Sequence, residues 1–106
     1  MINIVFHLNS GMIYGYDISG HSGWDEQGKD IICAAVSSAA YMTANTVTDI
    51  MHINAETFVD EGKMHIMINN MQDAKKAQII LQGFLLHVKE LSNQYNDFIK
   101  IEISEV

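Results

Sequence analysis

His21 and Cys33 are the two side chains whose types and spacing permit nucleophilic chemistry, and both lie in the stretch GHSGWDEQGKDIICAAVSSAAY at 20–41. A thiolate attacks a carbonyl carbon; an imidazole can take up the thiol proton and later return it to a leaving amine. Gly20, Gly23 and Gly28 give the connecting segment the freedom to fold back and bring ring and sulfur together. Asp30 reads as a helix N-cap. That places Cys33 in the first helical turn, where unpaired N–H groups and the positive end of the helix dipole favour an anionic sulfur. The same N–H groups could cradle the oxyanion of an attacked carbonyl. The Asp30 carboxylate opposes a nearby thiolate, so its expected role is that of a cap. Ser37 follows Cys33 by one turn on the same face, and its hydroxyl could hydrogen-bond within the site.

Spacing alone leaves other readings open. A lone cysteine in an alanine-rich helix is commonly a small buried hydrophobe, and a lone loop histidine is commonly solvated. A Cys–His pair could supply half of a metal site, but no convincing second pair accompanies it. A thiol redox enzyme would want a second cysteine to resolve its intermediate, and the chain has one. His7 and His65 in strands, His52 near a helix end and His87 beside a helix stripe read as packed or surface residues. The seven methionines read as core filler or part of a dimer face.

The elements that must position the pair follow from periodicity. Residues 2–8 and 12–20 read as strands joined at Asn9, Ser10 and Gly11, with Gly15 marking a bulge. A helix runs from Asp30 to about Ile50 or Met51, its buried face carrying Ile32, Val36, Ala39 or Ala40, Thr43, Val47 and Ile50. Residues 53–59 and 63–69 form a second hairpin around Asp60, Glu61 and Gly62. A second helix spans about 71–95, with Ala77, Ile80 or Leu81, Phe84, Val88 and Leu91 as its apolar stripe and Lys75, Lys76, Gln82 and Lys89 off it. Residues 98–104 alternate as a last strand. The order ββαββαβ predicts an α+β fold, with two helices packed on one face of a mainly antiparallel sheet. A sheet covered on one side leaves apolar surface elsewhere, so a dimer is expected.

The 106 residues make a single domain, expected to span 1–106. Apolar residues make up 48% of the chain, which fits an ordinary globular protein. No apolar run reaches the roughly 18 residues of a membrane span. No basic leader precedes the first strand, and one cysteine fits a reducing compartment, so the cytoplasm is expected. Thirteen acidic against six basic residues give a formal charge of −7. That balance argues against direct nucleic-acid binding and suits a basic protein or peptide as partner, or solubility alone.

The 20–37 block resembles the signature of the ribosomal-processing cysteine protease family, Prp: a Gly-His pair, a glycine-containing loop, then Asp-Ile-Val-Cys-Ala-Ala-Val-Ser. Gly20 and His21 match the pair, Gly28 the loop glycine, and Asp30 to Ser37 the helix start, with Ile32 in place of valine. The resemblance implies a cysteine endopeptidase that removes an N-terminal extension from ribosomal protein bL27 during ribosome maturation. It places the nucleophile on Cys33 and the base on His21, gives Ser37 a supporting role, and implies a homodimer with no cofactor. It also implies a mobile glycine loop that orders around substrate, and an apolar pocket for aromatic residues; from its place in the loop, Trp24 reads either as a cover for such a pocket or as an exposed or core-anchoring aromatic. The alternative is a non-catalytic acidic module docking on a ribosomal partner during assembly, for which a reactive thiol would be unnecessary.

Overall fold

A computed structural model describes residues 1–20 and 30–106. Eight apolar-alternating residues form β1 (Ile2–Asn9), which turns back into β2 (Met12–Ser19). The two turn residues, Ser10 and Gly11, both have positive φ, which matches the right-handed twist of a two-residue hairpin. A helix follows, α1 (Ile31–Asn45), then a π-helical turn at Thr46–Ile50. The second hairpin is β3 (Ala55–Asp60) with β4 (Lys63–Ile68). The long helix α2 (Met71–Gln94) leads to the last strand, β5 (Ile99–Glu105). The sheet order is β3-β4-β2-β1-β5, antiparallel except for the β1–β5 pair. This is the expected α+β arrangement, with strand boundaries displaced by a residue or two.

One face of the sheet holds the core. Ile2, Ile4, Phe6, Ile13, Tyr16, Met64, Ile66 and Ile68 alternate into it, and Ala74, Ala77, Leu81, Phe84 and Val88 of α2 cover them. Phe6, Tyr16 and Phe84 pack as a three-ring cluster with centroids 4.6–5.9 Å apart. The Tyr16 hydroxyl donates to the Ala40 carbonyl of α1 at 2.8 Å. Burial pushes that phenol far above its usual range, so it remains a donor. Of the expected stripe on α2, Leu81 rather than Ile80 is fully buried, and Leu91 sits half-buried at the rim.

Gly15 sits at a bulge. It pairs with His7 while Ile13 pairs with Leu8, leaving Tyr14 as the extra residue on β2. A Cβ at Gly15 would lie 2.0 Å from the Ile66 carbonyl oxygen, so only glycine lets β4 approach here. Gln78 of α2 clamps the Ile13 backbone beside the bulge, accepting from its N–H at 2.9 Å and donating to its carbonyl at 2.7 Å.

Two expectations need correction. Ile50 is 74% exposed rather than buried, because the π turn carries more residues per turn and rotates it off the face that Val47 still shares. The helical run Ile31–Ile50 does have the length and composition of a membrane span, with a mean hydropathy of 1.2 in its most apolar window. Short alanines supply much of that apolarity, and Ile32, Val36, Ala40, Thr43, Ala44 and Val47 place one face of it in the core. The methionines divide: Met64 is buried and Met51 packs against the core, while Met1, Met42 and Met71 are exposed.

Candidate active site

Asp30 adopts the extended backbone of an N-cap, and its side chain accepts from the Cys33 N–H at 2.9 Å. Its carbonyl accepts from the Ala34 N–H at 3.0 Å. Cys33 therefore stands in the first turn of α1, as its spacing predicts. One detail departs from expectation: the Cys33 N–H is engaged by the cap and is not open to an oxyanion.

The thiol is half-buried. It packs against the core edge yet lines an open cleft of about 110 Å³. Ser37 shares that cleft, one turn further along α1. Ile2, Ile18, Val36, Ala40 and Met64 give the cleft an apolar lining. Gly20 lines it too, with φ of +88° and the Met1 carbonyl oxygen only 2.4 Å from where a Cβ would stand. Both constraints demand glycine at the position that precedes His21. The Gly20 N–H donates to the Gly62 carbonyl at 3.0 Å, tying this segment to the β3–β4 turn.

His21, Gly23, Trp24 and Gly28 lie outside the described residues. Of the remaining predicted positions, the fold brings Gly20, Cys33 and Ser37 to one cleft and gives Asp30 the capping role. Tyr41, Asp60, Gly62 and Lys63 also line the cleft and were not singled out from the sequence. Tyr41 repeats the four-residue step from Cys33 through Ser37, so helical spacing could have flagged it. The contribution of Asp60–Lys63 depends on strand order and had no local signal. Among the described residues, no group of three or more His, Cys, Asp or Glu is arranged to hold a metal ion.

A free thiol at a helix start, facing a lined cleft, is the arrangement a thiol hydrolase requires. The sequence model of a family described as cysteine protease Prp matches residues 1–100. The chain belongs to that family. A ribosomal processing cysteine protease Prp from Staphylococcus aureus (strain NCTC 8325 / PS 47) is 25% identical over 103 residues, covering 95% of this chain and 97% of that one. Its Bacillus subtilis (strain 168) counterpart is 23% identical over 96 residues, covering 84% of each chain. Among solved structures, S. aureus Prp with a covalently linked product peptide superposes with a TM-score of 0.88 at 25% identity, covering 98% of this chain and all 100% of that one. A Streptococcus mutans protein gives 0.87 at 27% identity, covering 100% of this chain and 96% of that one. As a Prp-family member the chain is a cysteine peptidase.

Proposed function

We propose that this chain is an endopeptidase that removes the N-terminal extension of ribosomal protein bL27, with Cys33 as nucleophile and His21 as base. The observation that carries the reading is the position of its one cysteine: half-exposed, at a helix start, lining an open cleft. The Prp relatives support the substrate class, since an S. aureus structure of the family holds a substrate peptide and the curated relatives are named for ribosomal processing.

The chemistry runs in two halves. His21 takes the thiol proton as sulfur bonds to the scissile carbonyl carbon; the C–N bond breaks and the amine leaves with that proton. Water then attacks the thioester carbonyl, giving a proton to His21; the C–S bond breaks, the acyl product leaves as the carboxylic acid, and the departing thiolate takes its proton back from His21. Gly20, beside His21 in the sequence, lines the same cleft as Cys33, which favours this pairing. The apolar lining suits the aromatic residue expected before the cleavage point, with Trp24 as its proposed cover. Ser37 is placed to hydrogen-bond within the cleft. A formal charge of −7 suits a basic ribosomal protein, met in the cytoplasm.

The chain is proposed to act as a homodimer. Exposed Met42, Ile79 and Leu86 on the two helices are candidates for the covered surface. The sheet face turned away from the helices is polar at its centre, where Asp17 bonds His7 and His65.

Incubating purified protein with bL27 bearing its extension, and reading masses, tests the assignment. The expected result is one truncated product. Intact bL27 that nonetheless stays bound would replace the peptidase reading with the non-catalytic docking module.

A further inference from the structure

Side chains from four adjacent strands meet on the sheet face turned away from the helices. Asp17 of β2 sits between two histidines, one oxygen 2.5 Å from His7 Nε2 on β1 and the other 2.6 Å from His65 Nδ1 on β4. The second ring nitrogen of His65 lies 2.9 Å from a Glu56 oxygen on β3. An ionised carboxylate only accepts hydrogen bonds, so both nitrogens of His65 must carry a proton. In this arrangement His65 is an imidazolium. A neutral ring would aim a lone pair at one of its two carboxylates.

The consequence reaches the other face. Met64, next to His65, points the opposite way along β4 and lines the Cys33 cleft together with Gly62 and Lys63. The Gly62 carbonyl also holds the Gly20 N–H. Strand β3 is an edge strand joined to the sheet through β4 alone. Among the described residues, Glu56 ties β3 to β4 through its contact with His65.

We propose that protonated His65 is a positioning residue for the peptidase site: it pins β3 to β4 while holding Asp17 of β2, and so keeps the β3–β4 turn, with the Gly62–Met64 wall of the cleft and the Gly20 anchor, in place. Loss of the proton leaves the ring one N–H. The shorter, more covered Asp17 contact keeps it and still ties β4 to β2, while Glu56 is released, so that β3 loosens on β4 and the Gly62 turn between them with it. The groups that face His65 are Asp17, with His7 beyond it, from β2 and β1, and Glu56 from β3. Lys63 lies two residues away on β4, paired in register with Asp60 of β3. Lys100 and Glu102, 3.1 Å apart on β5, lie beyond β1. The direction of titration agrees. Partial burial pushes the His65 imidazolium down, but hydrogen bonds to Asp17 and then Glu56, with their charges, outweigh it and raise the ring above its ordinary 6.5.

This role rests on the proposed peptidase reading, so the experiment has one arm that needs turnover and one that does not. In the first, KM and kcat for a fluorogenic peptide copied from the bL27 extension are followed from pH 6 to 9. Wild type should show KM rising about fivefold through the His65 titration, a modest coupling between two sites. Glu56→Gln should flatten that rise, since a carboxamide can donate to a neutral ring, and kcat should keep its wild-type profile. In the second arm, NMR follows the His65 ring and the Gly20 amide, whose exchange protection, corrected for intrinsic pH dependence, should fall with the same midpoint. A His65 midpoint at or below 6.5, or Gly20 protection unmoved across it, overturns the proposal even if cleavage is absent. A KM rise shared by Glu56→Gln overturns it while leaving the peptidase intact.

Discussion

The two faces of this sheet each gather acid, imidazole or thiol chemistry, and they do so by opposite routes. On the helix side, Gly20, Asp30, Cys33 and Ser37 come from one continuous block, and local rules bring them together: a glycine that tolerates φ of +88°, a cap, and a helical turn. On the open side, His7, Asp17, Glu56 and His65 come from four strands and meet only because the sheet order and register are what they are. The first face carries the proposed nucleophile on local geometry. The second carries only position, and any change in register would scatter it. The comparison can be broken by asking which face a substitution disables.

The largest effect belongs to the helix side. Cys33→Ala should lower cleavage of the proposed extension peptide by on the order of 10⁴-fold or more, because the proposed nucleophile is removed. Its melting temperature should stay close to wild type, since a half-exposed sulfur at a helix start contributes little packing. Residual turnover above a tenth of wild type would remove Cys33 from the chemistry.

Next comes a substitution that strikes the open face through the backbone. Gly15→Ala would drive a methyl into the Ile66 carbonyl at 2.0 Å and the Met67 Cα at 2.8 Å, and neither can yield without moving β4. A loss of about 3 kcal/mol or more is expected in urea unfolding. The Asp17–His65 contact should be lost with it, visible as a shifted His65 ring signal. Wild-type stability would mean that the bulge does not fix the register of β2 on β4.

The same contrast explains what could be read from the sequence. Element order, both hairpin turns, the bulge at Gly15 and the cap at Asp30 were legible because each is a local event with a local residue signature. Cys33 and Ser37 were legible together because four residues make one helical turn. The wall formed by Asp60–Lys63 was hidden, since nothing in residues 60–63 announces that β4 lies beside β2. His65 was read as an ordinary strand histidine for the same reason: its partners are 48 residues before it and 9 before it in the chain. The exposure of Ile50 was missed because the π turn breaks the 3.6-residue period on which the burial pattern was projected.

A smaller effect separates capping from charge at the site. Asp30→Ala removes the acceptor of the Cys33 N–H and should cost about 1 kcal/mol of stability. Asp30→Asn keeps an acceptor while removing the negative charge near sulfur, so it should retain that stability and alkylate faster with iodoacetamide at fixed pH. Equal stability loss in both variants would mean that charge, rather than the hydrogen bond, sustains the helix start.

The smallest effect sharpens the other side, through the pH dependence of stability. Partial burial pushes the Asp17 carboxyl up, but hydrogen bonds from His7 and His65, aided by the attraction of those rings, outweigh it and hold it below its ordinary 3.8. Its contribution is therefore present above about 3.8 and fades as pH falls through the lowered value. His65 is raised above 6.5, so its contribution is complete below that and fades as pH climbs through the raised value. The cross-strand ladder should thus stabilise the fold most between these limits. Asp17 and Glu56 keep 42% and 72% of their side-chain surface in water, so solvent screens the contacts and the gain is small. Melting curves of wild type and His65→Gln should differ by about 2 °C near pH 5–6 and converge by pH 9. A difference that instead grows toward alkaline pH would mean that the neutral ring is the stabilising form, and the open face would then have no proton to lose.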